Sequence, residues 1–189
     1  MLKVEKRPGS WDSGIDYKKA YKTILKYINT IKEQKKLKTR SKKLAKAIIL
    51  LIQLRNASRI GEAIEAFRKF KEERKREVRV RVEKRKDGAE RLMILPEEVK
   101  IEDLDECDDE NLYPENLNDF CKRTFVFERV DGRHTRTTTH GLRYAAVSEL
   151  FSKGISAPAV AKAIGRKKHE DIGRYFEQDL AEKILREQL

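Results

Sequence analysis

Apolar positions recur at helical spacing from about Asp16 to Gln34, where Tyr17, Ala20, Tyr21, Ile24, Ile28 and Ile31 share one face. Ser13 or Asp16 can cap that helix. The two tyrosines lie on the apolar stripe and read as packing. A second helical run starts near Ser41, a good N-cap, and carries Leu44, Ala45, Ile48, Leu51 and Ile52. A third opens at Arg59-Ile60-Gly61-Glu62, with Ala63, Ile64 and Phe67 on its inner face, and ends in a charged, solvated stretch from Lys69 to Arg76. The pattern then changes to that of a strand. Val78, Val80 and Val82 alternate with Arg79, Arg81 and Glu83. Lys86-Asp87-Gly88 is a turn signal, and Leu92, Ile94 and Leu95 form the return strand up to Pro96.

Beyond Pro96 the pattern weakens. Residues 102–119 read as a solvated loop with a short helix around Asn116 to Lys122. Phe125 to Phe127 read as a strand or helix end, and residues 130–138 as a polar loop that leaves His134 on the surface. Helical spacing returns with Leu142, Ala146 and Leu150, then Val160 and Ile164, and finally Phe176, Leu180, Ile184 and Leu185. The expected fold class is mainly α with a small antiparallel β-sheet near residues 77–95, an α+β fold. Residues 1–12, with Pro8-Gly9 and no periodicity, read as an arm or linker stub, and 13–189 as one domain.

Composition narrows the partners. The chain has 189 residues, 39% of them apolar and 40% charged, enough to bury a sizeable core. It has no apolar run long enough to cross a bilayer and no signal-peptide pattern. The expected place is therefore the cytoplasm, or wherever the DNA is, with no membrane partner. Net charge is +12, yet residues 102–119 hold nine acids and neither Lys nor Arg. The rest of the chain is thus still more cationic than the total, which favours a polyanion and salt-sensitive binding. A competing reading is the Lys/Glu-rich solvated surface of a hyperthermophile protein. The basic linker KKLKTRSKK, which includes Lys42 and Lys43, reads equally as solvated loop or phosphate contact. Cys107 and Cys121 match no zinc spacing, the three histidines form no H-x-x-x-H, and the acids lack the calcium-loop pattern. Both cysteines read as reduced and structural. No metal and no cofactor are expected.

The candidate chemistry lies between Thr139 and Glu177. His140 and Arg143 stand three residues apart. Two helical runs follow, then the corner Gly165-Arg166 and a lone Tyr175 nine residues past Arg166. Upstream, Arg59 heads a helix, where the helix dipole disfavours a cation, so a phosphate-facing role is favoured over packing. Glu62 can start that helix and also pair with an arginine. This order resembles the catalytic domain of the tyrosine recombinases, the phage-integrase-like DNA strand-exchange enzymes, with an archaeal or archaeal-virus type left open.

The resemblance spans about residues 16 to 185 and implies the tyrosine recombinase catalytic-domain fold without that family's N-terminal core-binding domain. It implies a double-stranded DNA substrate, cut and rejoined through a 3′-phosphotyrosine. Arg59 and Arg143 would clamp the phosphate, and Tyr175 would be the nucleophile. Lys86, five residues before the arginine of Glu90-Arg91, would be the general acid, with Lys84 and Arg85 as close competitors. His140 would assist proton transfer. Lys42, Lys43, Lys84, Arg85, Lys167 and Lys168 are expected to contact DNA. A homo-oligomer on DNA, dimer or tetramer, through the C-terminal helix is implied as well.

The chain departs from the family in places. Ala57-Ser58 stands where Gly-Leu is usual. Arg166 stands where the family has histidine or tryptophan, so either it or His169 fills that role. Tyr144 replaces another common histidine and reads as packing. Two alternatives stay open. A type IB topoisomerase-like enzyme would use the same chemistry, although His140 stands where that group usually has lysine. A DNA-binding protein on the same fold that has lost cleavage would account for Arg166.

Overall fold

The computed structural model describes residues 14–34 and 39–167. Expectations that concern Tyr175, Lys168, His169, the arm at 1–12 and the C-terminal helix lie outside the described residues.

Helix α1 (Tyr17–Glu33) starts at Asp16, whose carboxylate accepts the Lys19 N–H at 3.0 Å. Its buried face holds Ala20, Ile24, Ile28 and Ile31. Helix α2 (Arg40–Asn56) carries its charges in its first two turns, as far as Lys46, and at Arg55. From Leu44 to Leu54 nearly every side chain is buried, so α2 is the central rod rather than a surface helix. Ala57 takes the left-handed conformation (φ 48°) that closes α2 and lets the chain turn at once into α3 (Ile60–Glu73). Helix α3 contributes Phe67 and Phe70, both fully buried.

Strands β1 (Glu77–Arg81) and β2 (Glu90–Ile94) form the expected antiparallel hairpin. Val78 lies opposite Met93 and Val80 opposite Arg91, with the valines buried and Arg79 and Arg81 outward. Two short helices follow, α4 (Ile101–Asp105) and α5 (Pro114–Thr124). A second antiparallel sheet, β3 (Phe127–Glu128) with β4 (His134–Thr135), was not anticipated, because strands of two residues carry no alternation to read. An isolated bridge from Ile15 to Arg129 ties it to the start of α1. Helices α6 (Thr139–Ser152) and α7 (Ala157–Ala163) complete the described chain. The fold is mainly helical with two small antiparallel sheets. No described helix is long and apolar enough to cross a membrane.

The acidic segment differs from the solvated loop expected of it. Leu104, Cys107 and Leu112 are buried and seat it against the domain. Its acids meet the cationic ends of three helices: Lys32 with Asp103 at 2.5 Å, Lys71 with Asp109 at 2.9 Å, Arg74 with Asp105 at 2.6 Å, and Arg40 with Glu106. Such pairs are tertiary, and nothing in the local pattern announces them. Each exposed one contributes only about 0–1 kcal/mol, so the buried leucines do more to hold the segment in place.

Phe67→Ala is expected to lower unfolding stability by about 3–5 kcal/mol. Val130→Ser, at a position 80% exposed, should change it by less than about 0.5 kcal/mol. Urea titrations of the two variants check this, and equal midpoints would refute the seating of α3 described above.

Candidate functional site

One wall of the site is built around a buried carboxylate. Glu62, in the first turn of α3, has no exposed side-chain surface. Its Oε2 accepts the Arg59 backbone N–H at 3.1 Å and Arg91 Nη1 at 3.1 Å. Its Oε1 accepts Arg59 Nη1 at 3.1 Å and the Glu83 backbone N–H at 3.2 Å. A carboxylate in the interior is tolerated only with this kind of pairing. Arg59 Nη1 also donates to the Glu83 carbonyl at 2.8 Å, which holds the guanidinium beside the hairpin turn. Arg91 comes from β2 and donates to the Asn56 carbonyl. The Asn56 side chain donates to the Ile94 carbonyl at 2.8 Å and accepts the Ile94 N–H at 2.9 Å. The hairpin is thereby fastened to the corner between α2 and α3.

The opposite wall is the head of α6. Asn118, from α5, accepts the Thr139 N–H at 3.1 Å and the Thr139 hydroxyl at 2.6 Å. Gln53, buried in α2, donates to the Thr139 carbonyl at 3.0 Å. His140 follows, its ring 5.1 Å from that of Tyr144 and tilted by 57°. One turn on, Arg143 is only 6% exposed, and both terminal guanidinium nitrogens are buried with no hydrogen-bond partner. The third side is the corner after α7. Gly165 has φ +74°, and a Cβ there would stand 2.7 Å from Val82 Cγ1. Only glycine lets the corner press on the base of the hairpin, and this presents Arg166 to the same space.

These walls enclose a pocket of about 520 Å³, lined among others by Arg59, Lys84, His140, Arg143 and Arg166. The first residues of α3 and α6, Ile60 and Thr139, both line it, so the positive ends of two helix dipoles meet there. Burial, together with Arg59, Arg91 and Arg166, brings the Arg143 pKa down to about 10, against the opposing pull of Glu62. Partial burial, and then the cations Arg143, Lys84, Arg166 and Arg59, push the His140 imidazole below its usual range. Glu83 contributes a carboxylate at the mouth. Donors and positive charge of this kind suit an anion.

Of the residues expected from the sequence, the structure brings together Arg59, His140, Arg143 and Arg166. The lysine that lines the pocket with them is Lys84, held at φ 68°. Lys86 is exposed on the 82–89 turn and is not among the lining residues, while Arg85 pairs with Asp87. Lys167 is exposed next to Arg166. Lys42 pairs with Asp108 at 3.6 Å, and it and Lys43 lie near the far end of α2. Eleven residues separate Lys42 from Gln53, about 17 Å along a helix. Asn118 and Gln53 were missed. Gln53 had a signal, as a polar residue inside the apolar run from Ala47 to Leu54. Among the described residues there is no cluster of metal-ligating side chains.

Two relatives are similar to this chain. One, from Methanocaldococcus jannaschii, is the uncharacterized protein MJ0770, 32% identical over 97% of this chain and 91% of its own length. The other, from Acidianus two-tailed virus, bears the name Putative integrase ORF241 and is 32% identical over 94% of this chain and 68% of its own length. No protein-family model matches, and no solved structure matches.

The cations around His140 make its titration a probe of the pocket. Its midpoint by NMR should lie below the ordinary value of about 6.5, rise in Arg143→Leu, and rise when inorganic phosphate neutralises the pocket. The unfolded chain takes up this proton first as pH falls. His140 should therefore subtract stability as pH drops through the unfolded value, and His140→Gln should flatten that slope. A midpoint unmoved by both Arg143→Leu and phosphate would refute the electrostatic picture.

Glu62→Ala should cost about 3–5 kcal/mol, because it strands the buried Arg91 and frees Arg59. Thermal or urea unfolding reads this directly, and a cost under about 1 kcal/mol would show that the four donors do not depend on it.

Proposed function

This chain belongs to the same integrase-like family as ORF241 of Acidianus two-tailed virus and MJ0770 of Methanocaldococcus jannaschii, and from that footing we propose that it cuts and rejoins double-stranded DNA through a 3′-phosphotyrosine. The observation that carries the reading is the Arg143 guanidinium, buried with two unpaired terminal nitrogens in a pocket lined by Arg59, Lys84, His140 and Arg166. A planar fork with free donors suits the two non-bridging oxygens of a phosphodiester.

In the proposed reaction Arg143 and Arg59 bind those oxygens, and Arg166 adds a further donor. The Tyr175 hydroxyl oxygen attacks phosphorus, its proton passing to His140, whose pKa is held below the usual range by burial and then by its cationic neighbours. The bond from phosphorus to the 5′ oxygen breaks, and that oxygen takes a proton from a lysine of the hairpin turn. Attack by a 5′ hydroxyl on the phosphotyrosine reverses every step and rejoins a strand. The family resemblance implies Lys86 as the donor, whereas Lys84 is the lysine that lines the pocket. Exchange between two duplexes further requires a dimer or tetramer of the chain on DNA.

The test begins with duplexes selected by the protein from a random pool, then nicked so that the 5′ product diffuses away. The wild-type chain should accumulate a covalent protein–DNA adduct. Tyr175→Phe should form none, with DNA affinity within about threefold, under about 0.7 kcal/mol. Arg59→Ala should slow adduct formation far more than it weakens non-specific binding. Replacing the 5′ oxygen by sulfur, a leaving atom that needs no proton, should rescue whichever of Lys84→Ala and Lys86→Ala removes the acid. An adduct that survives Tyr175→Phe would overturn the nucleophile. A wild-type chain that binds selected DNA but forms no adduct would leave a DNA-binding protein.

Binding itself should weaken linearly in log–log form as salt rises, because phosphate contacts release counterions. The slope should be shallower in Arg143→Ala and unchanged in Lys42→Ala. Equal slopes in all three proteins would place the DNA elsewhere.

A further inference from the structure

We propose that Gln53 is a positioning residue that holds the two arginine-bearing walls of the pocket in register. The inference rests on the reading of the pocket as an anion site, and not on strand cleavage.

Gln53 lies in the last turns of α2 and is 1% exposed. Its neighbours Ile48, Ile49, Leu50, Leu51, Ile52 and Leu54 are fully buried, so the position is one where an apolar side chain would normally stand. Its amide nitrogen donates twice, to the Ser58 carbonyl at 3.3 Å and to the Thr139 carbonyl at 3.0 Å. The Ser58 N–H in turn donates to the Gln53 carbonyl at 3.1 Å, which closes a ring over the left-handed turn at Ala57. Rotating the amide would set its oxygen against two carbonyl oxygens, so the network dictates its orientation.

The two accepting carbonyls decide what the contact does. The Ser58 carbonyl belongs to the peptide that leads into Arg59, at the head of α3. The Thr139 carbonyl belongs to the peptide that leads into His140, at the head of α6. These peptides are 81 residues apart in sequence numbering, yet one rigid, planar NH2 group spaces them. Rolling α6 against α3 would break one bond or the other, and the same roll would carry the Arg143 fork away from Arg59. Asn118 restrains only α6, and Asn56 only the hairpin and α2. Gln53 reaches both walls.

Stability alone is a modest reason for an amide here. Its two bonds to backbone carbonyls are neutral and worth about 0.5–1.5 kcal/mol each net, with more lost where a carbonyl is left buried and unmet. The amide also leaves its Oε1 buried without a partner, a cost that a methionine would avoid. What a methionine cannot supply is two donors diverging from one atom.

The test uses nitrogen-15 NMR on the full chain. In the wild-type protein both side-chain amide protons of Gln53 should exchange with solvent as slowly as backbone amides of α2. Gln53→Met should keep the circular dichroism spectrum and still melt cooperatively, below the wild type. It should nevertheless shift the Nε–H signals of both Arg59 and Arg143, and weaken inorganic phosphate binding about tenfold or more. Lys42→Ala, at the far end of α2, should do neither. A Gln53→Met protein with unmoved arginine signals and wild-type phosphate affinity would overturn the proposal, whatever its melting point. So would Gln53 amide protons that exchange like those of an exposed side chain, a result that needs no variant to fold. A wild-type chain that binds no phosphate would remove the anion reading, while the arginine signals would still decide whether Gln53 joins the walls. The adduct assay decides strand cleavage separately.

Discussion

A carboxylate removed from water sets the terms for the rest of this structure. Glu62 is buried completely, and the burial is tolerable only because its two oxygens accept four donors. Those donors come from the head of α3, from β2 and from the hairpin turn, so one side chain fastens three pieces of chain. Arg59 gains its orientation there and Arg91 its only carboxylate partner in the described structure. Glu62 also provides the one negative charge that counters the crowding of Arg143 by Arg59, Arg91 and Arg166. Without it the positive cluster would have neither a scaffold nor a counter-charge.

The compensation is incomplete, and this gives the pocket its character. Arg143 is desolvated, flanked by like charges and left with unpaired donors. Leaving such groups unmet costs folding free energy, and an entering anion returns it. Donors held in place before the ligand arrives need little reorganisation when charge develops, which is the usual source of electrostatic catalysis. The lowered His140 has burial as its first cause, and the same field adds to it, because an imidazole among four cations resists a further positive charge.

How much of this the sequence disclosed depends on how local each cause is. The hairpin was legible in the alternation of Val78, Val80 and Val82, and Arg59 in its place at a helix head. His140 and Arg143 were legible because one helical turn puts them on one side of α6. Which of Lys84 and Lys86 lines the pocket was not legible, because that turns on a left-handed residue inside an irregular turn, which no spacing rule resolves. Gln53 stood out as a polar residue in an apolar run, but its partners Ser58 and Thr139 exist only once α2 meets α6. The four-residue second sheet was too short to carry a period. The acidic segment was read as a charge when it is a set of partners.

That segment pairs some of the cations of a chain whose net charge is +12. Helix α2, with 17 residues, is about 25 Å long. Near its N-terminal end, Arg40, Lys42, Lys32, Lys71 and Arg74 are met by Glu106, Asp108, Asp103, Asp109 and Asp105. At its C-terminal end stand Arg59, Lys84, Arg143 and Arg166, with Glu62 and Glu83 as the nearby acids named above. The two ends are separated by more than the screening distance of about 8 Å at physiological salt. The acids of the far end therefore neutralise their own neighbours without quenching the pocket. Lys42, in the basic linker that composition suggested as a phosphate contact, stands beside Asp108.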